Sequence, residues 1–200
     1  MRITSFEVSD LLGKPGVFKA DLHPDLNILT GRNGVGKTSL LKLLWYVMSG
    51  NILLALQEVS FSKLRLVTDQ YDCTVHRLTR ATCRVELHIG DRDYLFEDEE
   101  DDEGNVHQNA EDLANSRLIK IGNSVFLPTF RRIEGGFTLT NNRAHPTPRN
   151  SLLDFRPRNA KSDIEDAMIA LSKRLTNGQH IFVSAISTAD IVGLLPHAVR

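Results

Sequence analysis

Residues 31–38 read Gly-Arg-Asn-Gly-Val-Gly-Lys-Thr, filling every fixed position of the phosphate-loop pattern GxxxxGK[ST]. No other feature constrains the chain as tightly, because this chemistry needs one local frame. A strand must lead into a tight glycine-rich bend, and a helix must follow with its first amides aimed at an anion. Gly31, Gly34 and Gly36 permit dihedrals and a close backbone approach that a side chain would block. The flanks supply the frame. Leu26-Asn27-Ile28-Leu29 reads as a short apolar strand entering the bend. Lys37–Met48 reads as a helix with Leu40, Leu41, Leu44, Val47 and Met48 on one face and Gly50 placed to end it. The expected binding residues for a nucleoside triphosphate are therefore Gly31, Arg32, Asn33, Gly34, Val35, Gly36, Lys37, Thr38 and Ser39. The amides of Asn33–Lys37 would cradle the β-phosphate. Lys37 would reach the β- and γ-phosphates as the catalytic cation, and the Thr38 hydroxyl would hold Mg²⁺.

The remaining composition narrows the class without naming a partner. The chain has 200 residues, 41% hydrophobic and 24% charged, with a net charge of −1, which suits a globular protein with one sizeable core. Charge is unevenly placed. Glu97–Glu103 is a run of seven acids, expected as a solvated loop tip, whereas Arg117–Lys161 holds nine Lys/Arg against Glu134 and Asp154. That basic stretch, with Phe130, Phe137 and Phe155 interleaved, could contact DNA or a protein partner. Cys73 and Cys83 make no CxxC pair and read as buried free thiols of a cytoplasmic protein. No segment approaches the roughly 18 apolar residues of a membrane span.

Periodicity gives the organisation. Residues 3–8 and 16–22 read as strands joined by a turn at Gly13-Lys14-Pro15-Gly16, so a hairpin precedes the phosphate loop. Ile52–Glu58 continues helically, and 63–68, 73–79, 83–89 and 92–97 alternate as strands of an antiparallel meander with one wet face. Asn109–Ser116 reads as a short surface helix, Ser124–Leu127 as a strand and 140–160 as a long mobile loop. Ser162–Arg174 is expected as a helix, Ile181–Ile186 as a buried strand and Thr188–Leu195 as a helix start. The divisions are 1–60 (hairpin and phosphate-loop core), 61–98 (antiparallel β lobe), 99–160 (acidic loop, strand and basic loop) and 161–200 (helix-strand-helix).

A hairpin followed by NILTGRNGVGKTSLLKLL resembles the ATPase head of the ABC superfamily, in its SMC/RecF/OLD-like branch, over residues 1–50. The later VFLPTFRRIEGGF is similar to the strand and Arg-bearing turn of OLD-type ATPases of bacterial anti-phage systems. The resemblance implies a P-loop NTPase fold with a mixed central sheet, flanking helices and an antiparallel β lobe. It further implies a homodimer closed around ATP, and hydrolysis in DNA processing or anti-phage defence. It places the hairpin, with Lys14 and Lys19, over the adenine, and Arg131 and Arg132 in a loop that senses the γ-phosphate or pairs locally with Glu134. Absence of the guanine-specifying NKxD string favours ATP over GTP.

Two partner motifs of such heads are hard to find. YLFED at 94–98 is the nearest approach to a strand ending in paired acids, and it stands too early in the order. Leu175-Thr176-Asn177-Gly178-Gln179 imitates a signature by letter, but a strand rather than a helix follows, so a turn with Gly178 as the helix stop is expected. The chain therefore reads as the N-terminal part of a longer ATPase. Gln57, Gln70 and Gln108 match metal-sensing glutamines by residue type alone. The alternatives are a non-hydrolysing ATP-sensing scaffold that recruits an effector, and a small-molecule kinase, against which the upstream hairpin counts.

Overall fold

The computed structural model describes residues 1–100, 106–128 and 160–183. Two compact units are present, Met1–Phe126 with Thr176–Ile181, and Leu127–Leu175 with Phe182–Arg200. The second contributes the helix α4 (Ala160–Leu175). The Arg131/Arg132 turn, Phe130, Phe137, Phe155, Glu134, the 140–159 stretch and Thr188–Leu195 lie outside the described residues.

The first unit is mixed α/β and is built on a six-stranded antiparallel sheet. Its strands are β1 (Ile3–Ser9), β2 (Val17–Asp21), β3 (Lys63–Thr68), β4 (Asp72–Arg77), β5 (Cys83–Ile89) and β6 (Arg92–Phe96), in the order β2-β1-β3-β4-β5-β6. Pairing of β1 with β3 joins the hairpin and the lobe into one sheet. Alternation sets its two faces. Across the strands, Phe18, Val8, Leu64, Val75, Val85 and Phe96 stand in one row, and Ala20, Phe6, Leu66, Cys73, Leu87 and Tyr94 in the next. These rows form the core side, where Val8, Leu64, Leu66, Cys73, Val75 and Val85 are fully buried.

The opposite face is a ladder of alternating charge. Lys19 stands against Glu7, Glu7 against Arg65, and Arg65 against Thr74. Arg65 grips Asp72 through two nitrogens at 2.6 and 3.1 Å. Glu86 lies 2.7 Å from Arg84 and 3.3 Å from His76, and that guanidinium first, then the imidazole, hold its carboxyl below the usual range. Exposed pairs of this kind contribute little energy each; their arrangement keeps the face wet and the register unique.

The helices α1 (Lys37–Met48), α2 (Ile52–Glu58) and α3 (Ala110–Leu118) complete the unit with the short strands β7 (Glu99–Glu100), β8 (Val106–Gln108) and β9 (Ser124–Phe126). α1 begins and ends where the periodicity places it, but its buried surface differs. Leu41 is 47% exposed, whereas Leu43, Leu44, Trp45, Tyr46, Val47 and Met48 are all buried. The last turns of α1 are enclosed on every side, by α2, α3 and β9, with Trp45 stacked on Phe126 at 5.4 Å. α3 is likewise no surface helix. Ala110, Ala114 and Leu118 make a buried stripe at four-residue spacing, laid against β5 and β6.

The carboxyl end of α1 is closed three times over. Gly50 takes φ 65, which lets its N–H reach Val47 O (3.3 Å) and Asn51 N–H reach Tyr46 O (2.8 Å). This is the Schellman pairing. A Cβ on Gly50 would also meet Asn115 O at 3.1 Å. The Asn177 side-chain amide then donates to Ser49 O and Gly50 O at 3.1 and 3.3 Å, and Asn115 accepts from Ile52 N–H at 3.3 Å. Asn177 belongs to a tight turn in which Asn177 and His180 exchange both main-chain hydrogen bonds around Gly178 and Gln179. The signature-like LTNGQ letters therefore open the strand β10 (His180–Phe182) and not a helix.

Two further expectations fail in this unit. The sheet is antiparallel among the described residues rather than mixed, and Leu26–Leu29 forms no strand. After β2, the Asn27 side chain clamps His23 on both N–H and C=O at 2.8 Å. That local turn competes with strand pairing, and it leaves Leu26 71% and Ile28 77% exposed.

His180 is fully buried, with Nδ1 2.8 Å from Ser124 Oγ. Burial pushes its imidazole below the ordinary value, opposed by the Ile121 and Leu118 main chain. Above the unfolded value of about 6.5 both states are neutral there; below it the unfolded chain takes a proton that the native site resists. Stability should therefore fall as pH drops through about 6.5. Thermal melts between pH 7.5 and 5.5 check this, with a shallower decline expected for His180→Asn.

Candidate functional site

The residues of the glycine-rich bend come together at the amino end of α1. Gly36 is the residue before the helix, at φ 110 and ψ 12, and only glycine adopts this region cheaply. Gly34 is also left-handed, at φ 78. Lys37 turns back over the bend, and its Nζ donates to Gly31 O at 2.7 Å and Arg32 O at 2.9 Å. The bend thus closes around an ammonium group. Within it, Val35 N–H bonds Arg32 O at 3.4 Å, while the amides of Asn33, Gly34 and Gly36 meet no acceptor among the described residues. These donors and the lysine stand together at the positive end of the α1 dipole, with Asn33 and Gly34 exposed and Gly36 and Lys37 half-buried.

Arg32, Asn33 and Thr38 are exposed and Ser39 is half-buried. Thr38 lies in the first turn of α1, where its hydroxyl could join a cation bound mainly by phosphate oxygens. Among the described residues no group of three or more His, Cys, Asp or Glu could hold a metal by itself.

Beside the bend lies a cleft of about 350 Å³. The hairpin supplies one wall through Lys14, Pro15, Gly16, Val17 and Phe18, and the bend supplies the other through Leu29, Thr30, Gly31, Val35, Gly36 and Lys37. Val8, Leu11 and Leu40 complete the lining, so the cleft is largely apolar with a lysine on each wall. An apolar slot with few polar groups, opening beside a ring of amides, suits a flat heterocycle attached to an anionic tail. Lys14 lines the cleft. Lys19 does not, since it stands opposite Glu7 on the wet side of the sheet.

The acidic YLFED segment is engaged elsewhere. Asp98 accepts the Ala110 N–H at 2.8 Å, so it caps α3, and Glu97 lies 3.7 Å from Arg84. β6 stands four strand intervals from β1, about 19 Å at ~4.8 Å each. Among the described residues no Asp or Glu lines the cleft. Part of the acidic run is therefore structural. Gln57 is exposed on α2 and Gln108 lies in β8 (Val106–Gln108), and none of the three candidate glutamines lines the cleft.

Sequence reading missed the residues Asp10, Leu11 and Leu12. They form a left-handed entry and a 3-10 turn at Leu11–Gly13, just before the Gly13–Gly16 bend. The available signal was two adjacent leucines in a hairpin turn, where polar residues are the rule.

No protein-family model and no curated protein matches this chain.

Asp98→Ala should lower stability by about 1 kcal/mol through loss of a helix cap, with nucleotide affinity unchanged. Thermal melts and an ATP titration of the same variant check both halves.

Proposed function

We propose that this chain binds ATP with Mg²⁺ through Gly31–Ser39, and that it is part of a P-loop ATPase head of the ABC type, in the SMC/RecF/OLD-like branch. The carrying observation is that Lys37 Nζ sits against Gly31 O and Arg32 O while the neighbouring amides of Asn33, Gly34 and Gly36 have no acceptor among the described residues. A triphosphate tail supplies what this cradle lacks, and it offers better partners than two neutral carbonyls for the lysine. The apolar cleft against Pro15, Val17 and Phe18 would take the base. Bound Mg²⁺ would neutralise phosphate charge beside the Thr38 hydroxyl. Two heads would close around ATP, and hydrolysis would release them to serve DNA processing or an anti-phage effector.

One observation favours a second reading, a nucleotide sensor without turnover. Among the described residues no carboxylate lines the cleft to orient water, and Asp98 is committed to α3.

Titration of the protein with ATP and Mg²⁺ should show saturable binding that Lys37→Ala weakens by at least about 100-fold, close to 2.8 kcal/mol. Near-normal affinity in that variant rejects the ATP assignment. Phosphate release by the same protein separates ATPase from sensor, since a sensor binds ATP and releases none.

A further inference from the structure

The hairpin turn does more than wall the cleft. Leu12 sits at φ 58 and ψ 32, in the left-handed region, where a bulky residue without a short polar side chain is a genuine outlier. Two anchors hold it there. Leu12 N–H donates to Ser60 O at 2.7 Å. Asp10, itself left-handed at φ 55, accepts Ser62 Oγ at 2.7 Å and Gly16 N–H at 3.2 Å. The turn is thereby tied to the start of β3 and to its own far side. What this arrangement achieves is visible at position 36. Leu12 Cδ1 lies 2.8 Å from where a Cβ on Gly36 would be, with Cγ at 3.7 Å. The leucine methyl occupies the side-chain space that glycine leaves empty.

We infer that Leu12 is a positioning residue for the phosphate bend: its side chain braces the Gly36 peptide in the dihedrals that aim the amides of the bend at an anion. The inference rests on the ATP-binding reading and adds a residue to it. Gly36 gains its unusual φ by lacking a Cβ, and the same lack leaves its peptide free to rotate. A neighbour filling that space restores rigidity without adding a side chain to the bend, and the backbone strain at Leu12 is the cost.

The two roles of Leu12, turn residue and brace, respond oppositely to substitution. Leu12→Gly relieves the left-handed strain but removes the brace, and Leu12→Asn tolerates the backbone while offering no methyl. Leu12→Met keeps an apolar side chain over Gly36. The full chain and these three variants would be titrated with ATP and Mg²⁺, melted thermally, and followed by amide hydrogen exchange over residues 33–38. Expected are a fivefold or greater loss of ATP affinity and faster exchange at 33–38 in the Gly and Asn variants, with melting temperature unchanged or raised, and near-normal affinity in Leu12→Met. ATP affinity within twofold of the unsubstituted chain in both the Gly and Asn variants overturns the brace. So does a loss of affinity matched by lower melting temperature and faster exchange throughout 10–18, since that assigns Leu12 to the turn alone. If the unsubstituted chain binds no ATP, the nucleotide reading itself falls and the brace with it.

Discussion

The enclosed carboxyl half of α1 is the fixed point of this structure. Leu43, Val47 and their neighbours are surrounded by apolar surface, and the Gly50 pairing and Asn177 amide seal the helix end. A helix held so firmly at one end projects its other end as a rigid post. The amide cluster at Gly36 can therefore be loose in sequence terms, with three glycines in six residues, and still occupy one place. Packing supplies the order that glycine removes.

The sheet has a matching role. Its core rows fix β1, and β1 fixes the hairpin turn that faces the bend. Anchors at Ser60 and Ser62 carry that constraint from the start of β3 back to Asp10 and Leu12. The cleft thus lies between two elements, each held from behind by elements distant in sequence. Its largely apolar lining and its pair of lysines follow from which residues each wall presents.

Much of this was legible in the residues. Strands with a wet and a dry face alternate strictly, so 63–68 and 83–89 could be read to the residue. The start of α1 follows from the glycine–lysine motif and its stop from Gly50. Other features depend on contacts that periodicity does not encode. Leu41 and Leu43 are equally apolar, and only the positions of α2, α3 and β9 decide that Leu43 is inside. The stripe Ala110, Ala114, Leu118 is weakly hydrophobic, so α3 reads as a surface helix until β5 and β6 are seen beneath it. Leu26–Leu29 has strand composition, but the Asn27 clamp on His23 diverts it. Within the candidate site, the glycine-rich bend and the helix start behind it were readable from their motif, whereas the partnership of Leu12 with Gly36 joins positions 24 apart and has no local signature.

The two cysteines of the core add a practical property. Cys73 and Cys83 lie on the buried side of β4 and β5, with free thiols. Burial pushes the Cys73 thiol up strongly and the Cys83 thiol up to about 12, so neither offers appreciable thiolate to a reagent. Alkylation must wait until these central strands separate, and the rate of thiol modification becomes a native clock for global opening of the sheet.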